Sequence, residues 1–220
     1  AEPREQPGYI DRGIVIARSA GIEPTLVVNK LDLPGSDALV ARLVEIYGGS
    51  CAVLPVSAAE RIGLDAIGAL LAPDQIGALV GPSGVGKSSF LIGVALDELL
   101  RGGTVLHVTL DQTLAHVRRY YDTVFEALAA ATHLEDVARI RSEVDARRHI
   151  RAYAPADFNA NKLADAVKIE SEAGARPTLV VIDGFGVADL EREDLAGIRA
   201  LAQELAAEIW FSVVCAAEQI

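Results

Sequence analysis

The densest chemistry in the chain lies at Gly81-Pro82-Ser83-Gly84-Val85-Gly86-Lys87-Ser88, where two glycines five positions apart close on a lysine and a hydroxyl. Glycine lets the backbone fold around an anion without Cβ clashes, so that successive amides and the start of the next helix point at phosphate. Lys87 is placed to meet the β- and γ-phosphates of a nucleoside triphosphate as a catalytic point charge. The Ser88 hydroxyl is placed to ligate Mg²⁺, with Ser89 beside it. The pattern gains weight from its setting. An apolar run at 76–81 leads into it, and Leu91, Val94, Ala95 and Leu99 give the following segment the apolar face of a helix.

A magnesium shell needs a second oxygen donor, and Asp183 ends the apolar run Thr178-Leu179-Val180-Val181-Ile182. A carboxylate at such a strand end is the expected partner of Ser88 on the metal, although a simple cap or turn gives the same pattern. Asp183-Gly184-Phe185-Gly186 also resembles the Asp-x-x-Gly of GTP switches, which implies that the Gly186 amide meets the γ-phosphate.

Upstream, a run at 24–28 ends in Asn29-Lys30-Leu31-Asp32, and a run at 51–56 ends in Ser57-Ala58-Ala59. These resemble the Asn-Lys-x-Asp and Ser-Ala-x elements of GTPases. A carboxylate at Asp32 accepts from the N1–H and amino edge of guanine, a donor pair that adenine lacks. The resemblance implies that the Lys30 stem lies over the base, Asn29 ties its loop to the phosphate loop, and an amide near Ala58 and Ala59 meets the guanine O6. Ser57 as a cap of a helix near 63–71 is the bland alternative. Both elements precede Gly81, whereas ordinary GTPases place them last, so the order is that of a circularly permuted GTPase. Residues from about 1 to 92 resemble the ribosome small-subunit-dependent GTPase family through Glu2-Pro3, Pro7-Gly8-Tyr9-Ile10-Asp11-Arg12 and the run from Gly81 to Ser89. That resemblance implies GTP and GDP as ligands with Mg²⁺, and GTP hydrolysis coupled to maturation of the small ribosomal subunit. The OB-fold and zinc-binding regions that flank the GTPase in that family are not found in these 220 residues, nor is its threonine-rich switch loop.

From about residue 93, and from 76 if the phosphate loop is counted, the chain is similar instead to RecA-type ATPases, the group of replicative helicases and circadian-clock ATPases. Arg101-Gly102-Gly103 leads into a run at 105–110 that ends at Asp111, where those enzymes carry a catalytic acid. Asp111 is thereby implied to orient or deprotonate the attacking water, with a capping role for Asp111 or Thr113 equally open. Gln219, after Glu218, takes the place of a γ-phosphate sensor. This half implies ATP and ADP as the alternative ligands. Two resemblances meeting at one phosphate loop suggest a hybrid, and the complete absence of Met agrees with one. A non-catalytic nucleotide-binding module is the third possibility.

Seven apolar runs must carry these residues: 24–30, 51–57, 76–81, 103–110, 148–154, 177–183 and 208–216. Helix-like stretches alternate with them, which predicts an α/β fold, a three-layer α/β/α sandwich around a mainly parallel sheet of about seven strands in permuted order. We expect one domain over 1–220, with 1–75 as the guanine-recognition segment and 76–220 as the phosphate and Mg²⁺ segment. Run 208–216 is expected between 76–81 and 24–30, bringing the termini together at the nucleotide edge. Pro34-Gly35-Ser36-Asp37 reads as a turn into a helix, Gly102-Gly103 as a helix end, and 112–147 as two helices.

Composition bounds the partners. A hydrophobic fraction of 51% supports a substantial core, and a net charge of −11 opposes general nucleic-acid binding. No apolar run approaches the roughly 20 residues of a membrane span, and a cytoplasmic location is the expectation. Cys51 and Cys215 read as buried hydrophobes. His107, His116, His133 and His149 lack metal-ligand spacing. Arg118, Arg119, Arg147, Arg148 and Arg151 read as solvated ends among acids, and Tyr120, Tyr121 and Trp210 as core.

Overall fold

The computed structural model describes residues 8–57, 60, 62–81, 86–186 and 192–214. In chain order the elements are α1 (Tyr9–Ser19), β1 (Thr25–Val28), α2 (Ser36–Tyr47), β2 (Ala52–Pro55), α3 (Leu64–Gly68), β3 (Ile76–Gly81), α4 (Lys87–Leu100), β4 (Val105–Thr109), α5 (Leu114–Ala131), α6 (Val137–Arg147), β5 (Arg148–Ala152), α7 (Ala160–Glu172), β6 (Leu179–Gly186), α8 (Arg192–Leu205) and β7 (Glu208–Val214). Each expected run holds one of these strands, except that β6 runs on past 183 to Gly186, and 112–147 holds a helix pair.

The strands are parallel throughout but do not share one sheet. Among the described residues, five form a sheet in the order β3-β7-β6-β4-β5, and β1 pairs with β2 alone. Strand β7 therefore lies between β3 and β6, not between β3 and β1 as its expected position required. The physical reason is the crossover. Helix α8 packs on α7 and on the face it shares with β7, and its return delivers β7 beside β6, with which it pairs from Leu179↔Glu208 to Gly186↔Val214. The expected meeting of the termini falls on residues outside the described ones.

The period of two along each strand sorts the side chains onto two faces. Val105, Leu179, Val181 and Trp210 pack with α3, α4, α5 and α6, while Leu106, Val108, Val180, Ile182, Ile209, Phe211 and Val213 pack with α7 and α8. Helices on both faces of a parallel sheet make the α/β/α sandwich. Burying a leucine such as Leu91, fully enclosed on α4, contributes roughly 1.5–3 kcal/mol, so the phosphate-loop helix is fixed by its apolar stripe. The same alternation puts His107, Thr109, Asp183 and Ser212 on the α4 face, and all four are buried. Among the described residues no helix is long and apolar enough to cross a membrane.

Candidate functional site

The start of α4 is built to face an anion. Gly86 precedes it with φ +94° and no side chain caps the first turn, which leaves the N-terminal amides open in the direction of the loop. A Cβ at Gly86 would sit 2.8 Å from Asn29 Nδ2, so only glycine admits both the backbone turn and the approach of the Asn29 side chain. Lys87 bends back to donate from Nζ to the Gly81 carbonyl at 2.6 Å. Gly81 itself is the last residue of β3 and is buried. Ser89 turns toward α5, where its Oγ meets the Tyr120 hydroxyl. Ser83, Gly84 and Val85 lie outside the described residues, as do Ala58, Ala59, Glu218 and Gln219.

The two upstream elements come together at the ends of β1 and β2. The Val56 amide donates to Val28 O at 2.8 Å, and Leu31 N donates to Val56 O at 3.0 Å. Across that frame Ser57 Oγ donates to Asp32 Oδ1 at 2.5 Å and accepts from Glu60 N at 3.1 Å. Ser57 thus orients a carboxylate and does not cap α3, whose N-cap is Gly63. Asn29 Oδ1 accepts from Lys30 N at 2.8 Å, and Lys30 adopts φ +68°. A cavity of about 450 Å³ opens between Asn29 and Lys30 on one side and Gly86 and Lys87 on the other, and runs down between β1 and β3 past Val27, Leu79 and Phe90.

The acidic pair sits one strand further in. Asp183 is buried, accepts a short hydrogen bond from Ser212 Oγ, and stands opposite Thr109 of β4. Ser212 Oγ also accepts from Gly184 N at 3.0 Å, fixing a bulge at which the register between β6 and β7 slips. Gly184 has φ +96°, and a Cβ there would lie 2.6 Å from Asp111 Oδ1. The Asp111 carboxylate therefore lies over the bulge beside Asp183, while Thr113 caps α5 by accepting from His116 N at 3.2 Å. Burial pushes the Asp111 carboxyl up, and the charge of Asp183 pushes it further. The two carboxylates therefore stand side by side, past the end of β4 and at the bulge of β6. Gly186 and Gly81 both stand level with Val214 on its two sides.

Sequence reasoning passed over Ser212 and read His107 only as lacking metal-ligand spacing, although each is a polar residue inside an apolar strand, which was the available signal. His107 Nδ1 and the Tyr121 hydroxyl lie 3.0 Å apart, and Nε2 has no partner among the described residues. Burial lowers the His107 pKa to about 4 against the opposing pull of Asp183. Arg148 corrects its reading as a solvated end. Its side chain is 9% exposed, lies 4.9 Å over the Tyr121 ring, and pairs with Asp145 at 2.6 Å.

Residues 1–107 match the family model described as RsgA GTPase. A small ribosomal subunit biogenesis GTPase RsgA of Methanosarcina acetivorans is 39% identical over 64 residues, 29% of this chain and 17% of that protein. The protein of the same name from Chromohalobacter salexigens is 39% identical over 128 residues, 53% of this chain and 36% of that protein. The matches thus span well under half the length of these relatives, and residues 108–220 lie outside the family match.

Proposed function

We propose that this chain is a Mg²⁺-dependent phosphate-loop protein that binds GTP and GDP and hydrolyses GTP slowly. The observation that carries it is the convergence of Asn29 on Gly86 while Ser57 orients the Asp32 carboxylate. Asn29 and Lys30, which lead into Asp32, then line one opening with Gly86 and Lys87 of the phosphate loop. In this reading Asp32 accepts from guanine with Asn29, Lys30, Ser57, Ala58 and Ala59 around it. Gly81, Ser83, Gly84, Val85, Gly86, Lys87, Ser88, Ser89 and Gly186 hold the phosphates. Ser88 and Asp183 hold the cation, whose contribution is to neutralise charge on the phosphate oxygens. Ser212 holds Asp183 in place, and Asp111 takes the proton of the attacking water.

The similarity of residues 1–107 to RsgA GTPases supports guanine over adenine and makes the small ribosomal subunit the partner to test first. Slow turnover follows from the chemistry after binding: Asp111 is shorter than the glutamate usual for this task, and no threonine-rich switch follows α4.

GDP should bind at least about tenfold more tightly than ADP, and Asp32→Asn should remove that preference by turning a donor toward the guanine donors. Equal affinities untouched by the substitution sink guanine recognition. Phosphate release from GTP is expected above the background of Lys87→Ala. Its absence, with GDP binding intact, leaves a non-catalytic binding module.

A RecA-like ATPase is the second reading, and one observation favours it. β4 ends at Thr109, two residues before Asp111, where the resemblance of residues 76–220 places a catalytic acid. A hybrid of the two kinds of chain accommodates both observations. ADP binding tighter than GDP, with ATP turnover lost in Asp111→Asn, selects this reading.

A further inference from the structure

Helix α5 touches both sides of the proposed reaction. Its N-cap, Thr113, stands two residues after Asp111. Further along it, two adjacent tyrosines point about 100° apart around the helix axis. Tyr121 is fully buried, its hydroxyl lies 3.0 Å from His107 Nδ1 of β4, and the Arg148 guanidinium sits 4.9 Å over its ring. These contacts pin α5 to the strand that leads into Asp111. Tyr120 reaches the other way. Half-buried against the core that α4 and α5 share, it extends to α4, where its hydroxyl meets Ser89 Oγ.

The place of that contact gives it weight. Phe90 N donates to Gly86 O at 2.9 Å, and Ser89 comes before that bond, in the turn of α4 that faces the loop. Ser89 Oγ stands 3.9 Å from where a Cβ on Gly86 would be, and Asn29 Nδ2 stands 2.8 Å from the same point. The Gly86 turn thus has two side-chain neighbours, Asn29 from the end of β1 and the Ser89 and Tyr120 hydroxyl pair on the α5 side. The core that α4 and α5 share is built of apolar side chains such as Leu91, Val117 and Phe125. Apolar contact has no direction. It holds two helices together without fixing how far one slides along the other. A hydrogen bond between hydroxyls does fix it, because its length and angle are narrow.

We propose that Tyr120 is a positioning residue for the hydrolysis proposed above, acting through Ser89 to fix where the phosphate loop lies relative to Asp111. The inference rests on that nucleotide reading, with Asp111 as its acid. Nucleotide binding draws on the loop amides, the Lys87 charge and the residues proposed to read the base, and none of these needs the Tyr120 hydroxyl. Attack is more demanding. It requires the acid, the water and the γ-phosphorus in line, and a misplacement of about 1 Å costs about 10²-fold in rate. Because α5 is pinned to β4 by Tyr121 and to α4 by Tyr120, loss of the Tyr120 hydroxyl frees α4 to shift against Asp111. The loss therefore falls on turnover and spares affinity.

Tyr120→Phe keeps the ring in its apolar contacts and removes the hydroxyl alone. Single-turnover phosphate release from saturating GTP and Mg²⁺ by the 220-residue chain should fall about tenfold in this variant. Its Kd for GTP and for GDP should stay within about twofold of the wild type, with Tm nearly unchanged. Ser89→Ala should show the same split between rate and affinity. The double variant should lose no more than either single one, since both substitutions remove the same contact. Three outcomes overturn the proposal while wild-type turnover keeps the nucleotide reading: release by Tyr120→Phe equal to the wild type, additive losses in the double variant, or an affinity loss as large as the loss in rate. A wild-type chain that releases no phosphate from GTP or ATP defeats hydrolysis itself, and the proposal falls with it.

Discussion

The two sheets are alike in direction and opposite in how they are held. In the five-stranded sheet every residue of β4 is buried, as are the first five of β6. In the small sheet β1 buries only Val28, β2 buries none, α1 has no buried residue, and α2 buries Leu43 alone. Val15, Ile16, Ile22, Val44 and Ile46 of that region are each at least 47% exposed. Yet the small sheet carries Asn29 and Asp32, while the large one carries Gly81, Asp111 and Asp183. The residues proposed to read the base stand on a lightly anchored platform, and those proposed to hold phosphate and cation stand on a rigid one. Opening free energies vary across a protein with buried contact, so the small sheet should open without unfolding the large one.

The largest effect that tests this contrast comes from the core. Ile182→Ala, at a site with no exposure, should cost about 2–5 kcal/mol in urea unfolding. Val27→Ala, in the half-buried wall of the cavity, should cost about 1 kcal/mol or less. Hydrogen exchange sharpens the point, because β4 and β6 amides should exchange only by global unfolding and β1 and β2 amides by a smaller opening. Matching protection in the two sheets breaks the comparison.

The next effect is acid sensitivity confined to the large sheet. His107 is held neutral with a pKa lowered to about 4, chiefly by burial, while an unfolded histidine titrates near about 6.5. Between those values the unfolded chain binds a proton that the folded chain refuses, so stability is full above about pH 6.5 and falls as the pH drops toward 4. The loss amounts to about 3 kcal/mol at most. His107→Gln should flatten that part of the stability profile, and an unchanged slope removes His107 as its source.

A smaller effect belongs to the bulge. Gly184→Ala forces a Cβ into the Asp111 carboxylate and strains a positive φ, at a cost of about 1–3 kcal/mol. On the proposed function it should lower nucleotide turnover more than nucleotide affinity, since Asp111 moves while Asn29, Asp32 and Gly86 do not. Loss of affinity with turnover per bound nucleotide intact contradicts that division.

How much of this was legible in sequence divides along the same line. Strand runs such as 103–110 and 177–183 declare themselves by length and β-branched content, and Gly86 and Gly184 by their neighbours. Sheet membership did not follow, because 24–30 and 208–216 look alike locally and only the α8 crossover decides which of them lies beside β3. Ser212 and His107 were readable as polar interruptions, but their partners Asp183 and Tyr121 lie 29 and 14 residues away. Arg148 was misread because interleaved acids signal a solvated face, whereas the Tyr121 ring below it offers a better surface for the guanidinium.

The smallest effect returns to the lightly anchored platform. Ser57 is fully buried and bridges Asp32 Oδ1 and Glu60 N, so Ser57→Ala removes two hydrogen bonds at a cost of about 1–2 kcal/mol. Because the bond joins the β1 end to the β2 end, that cost should appear as faster exchange in the small sheet and leave β4 and β6 untouched. The Asp32 carboxylate, freed to rotate, should lose several-fold in its preference for GDP over ADP, with affinity for inorganic phosphate unchanged. If β4 and β6 lose protection equally, the two sheets unfold as one unit, and the lightly held reader on a rigid base is the wrong description of this molecule.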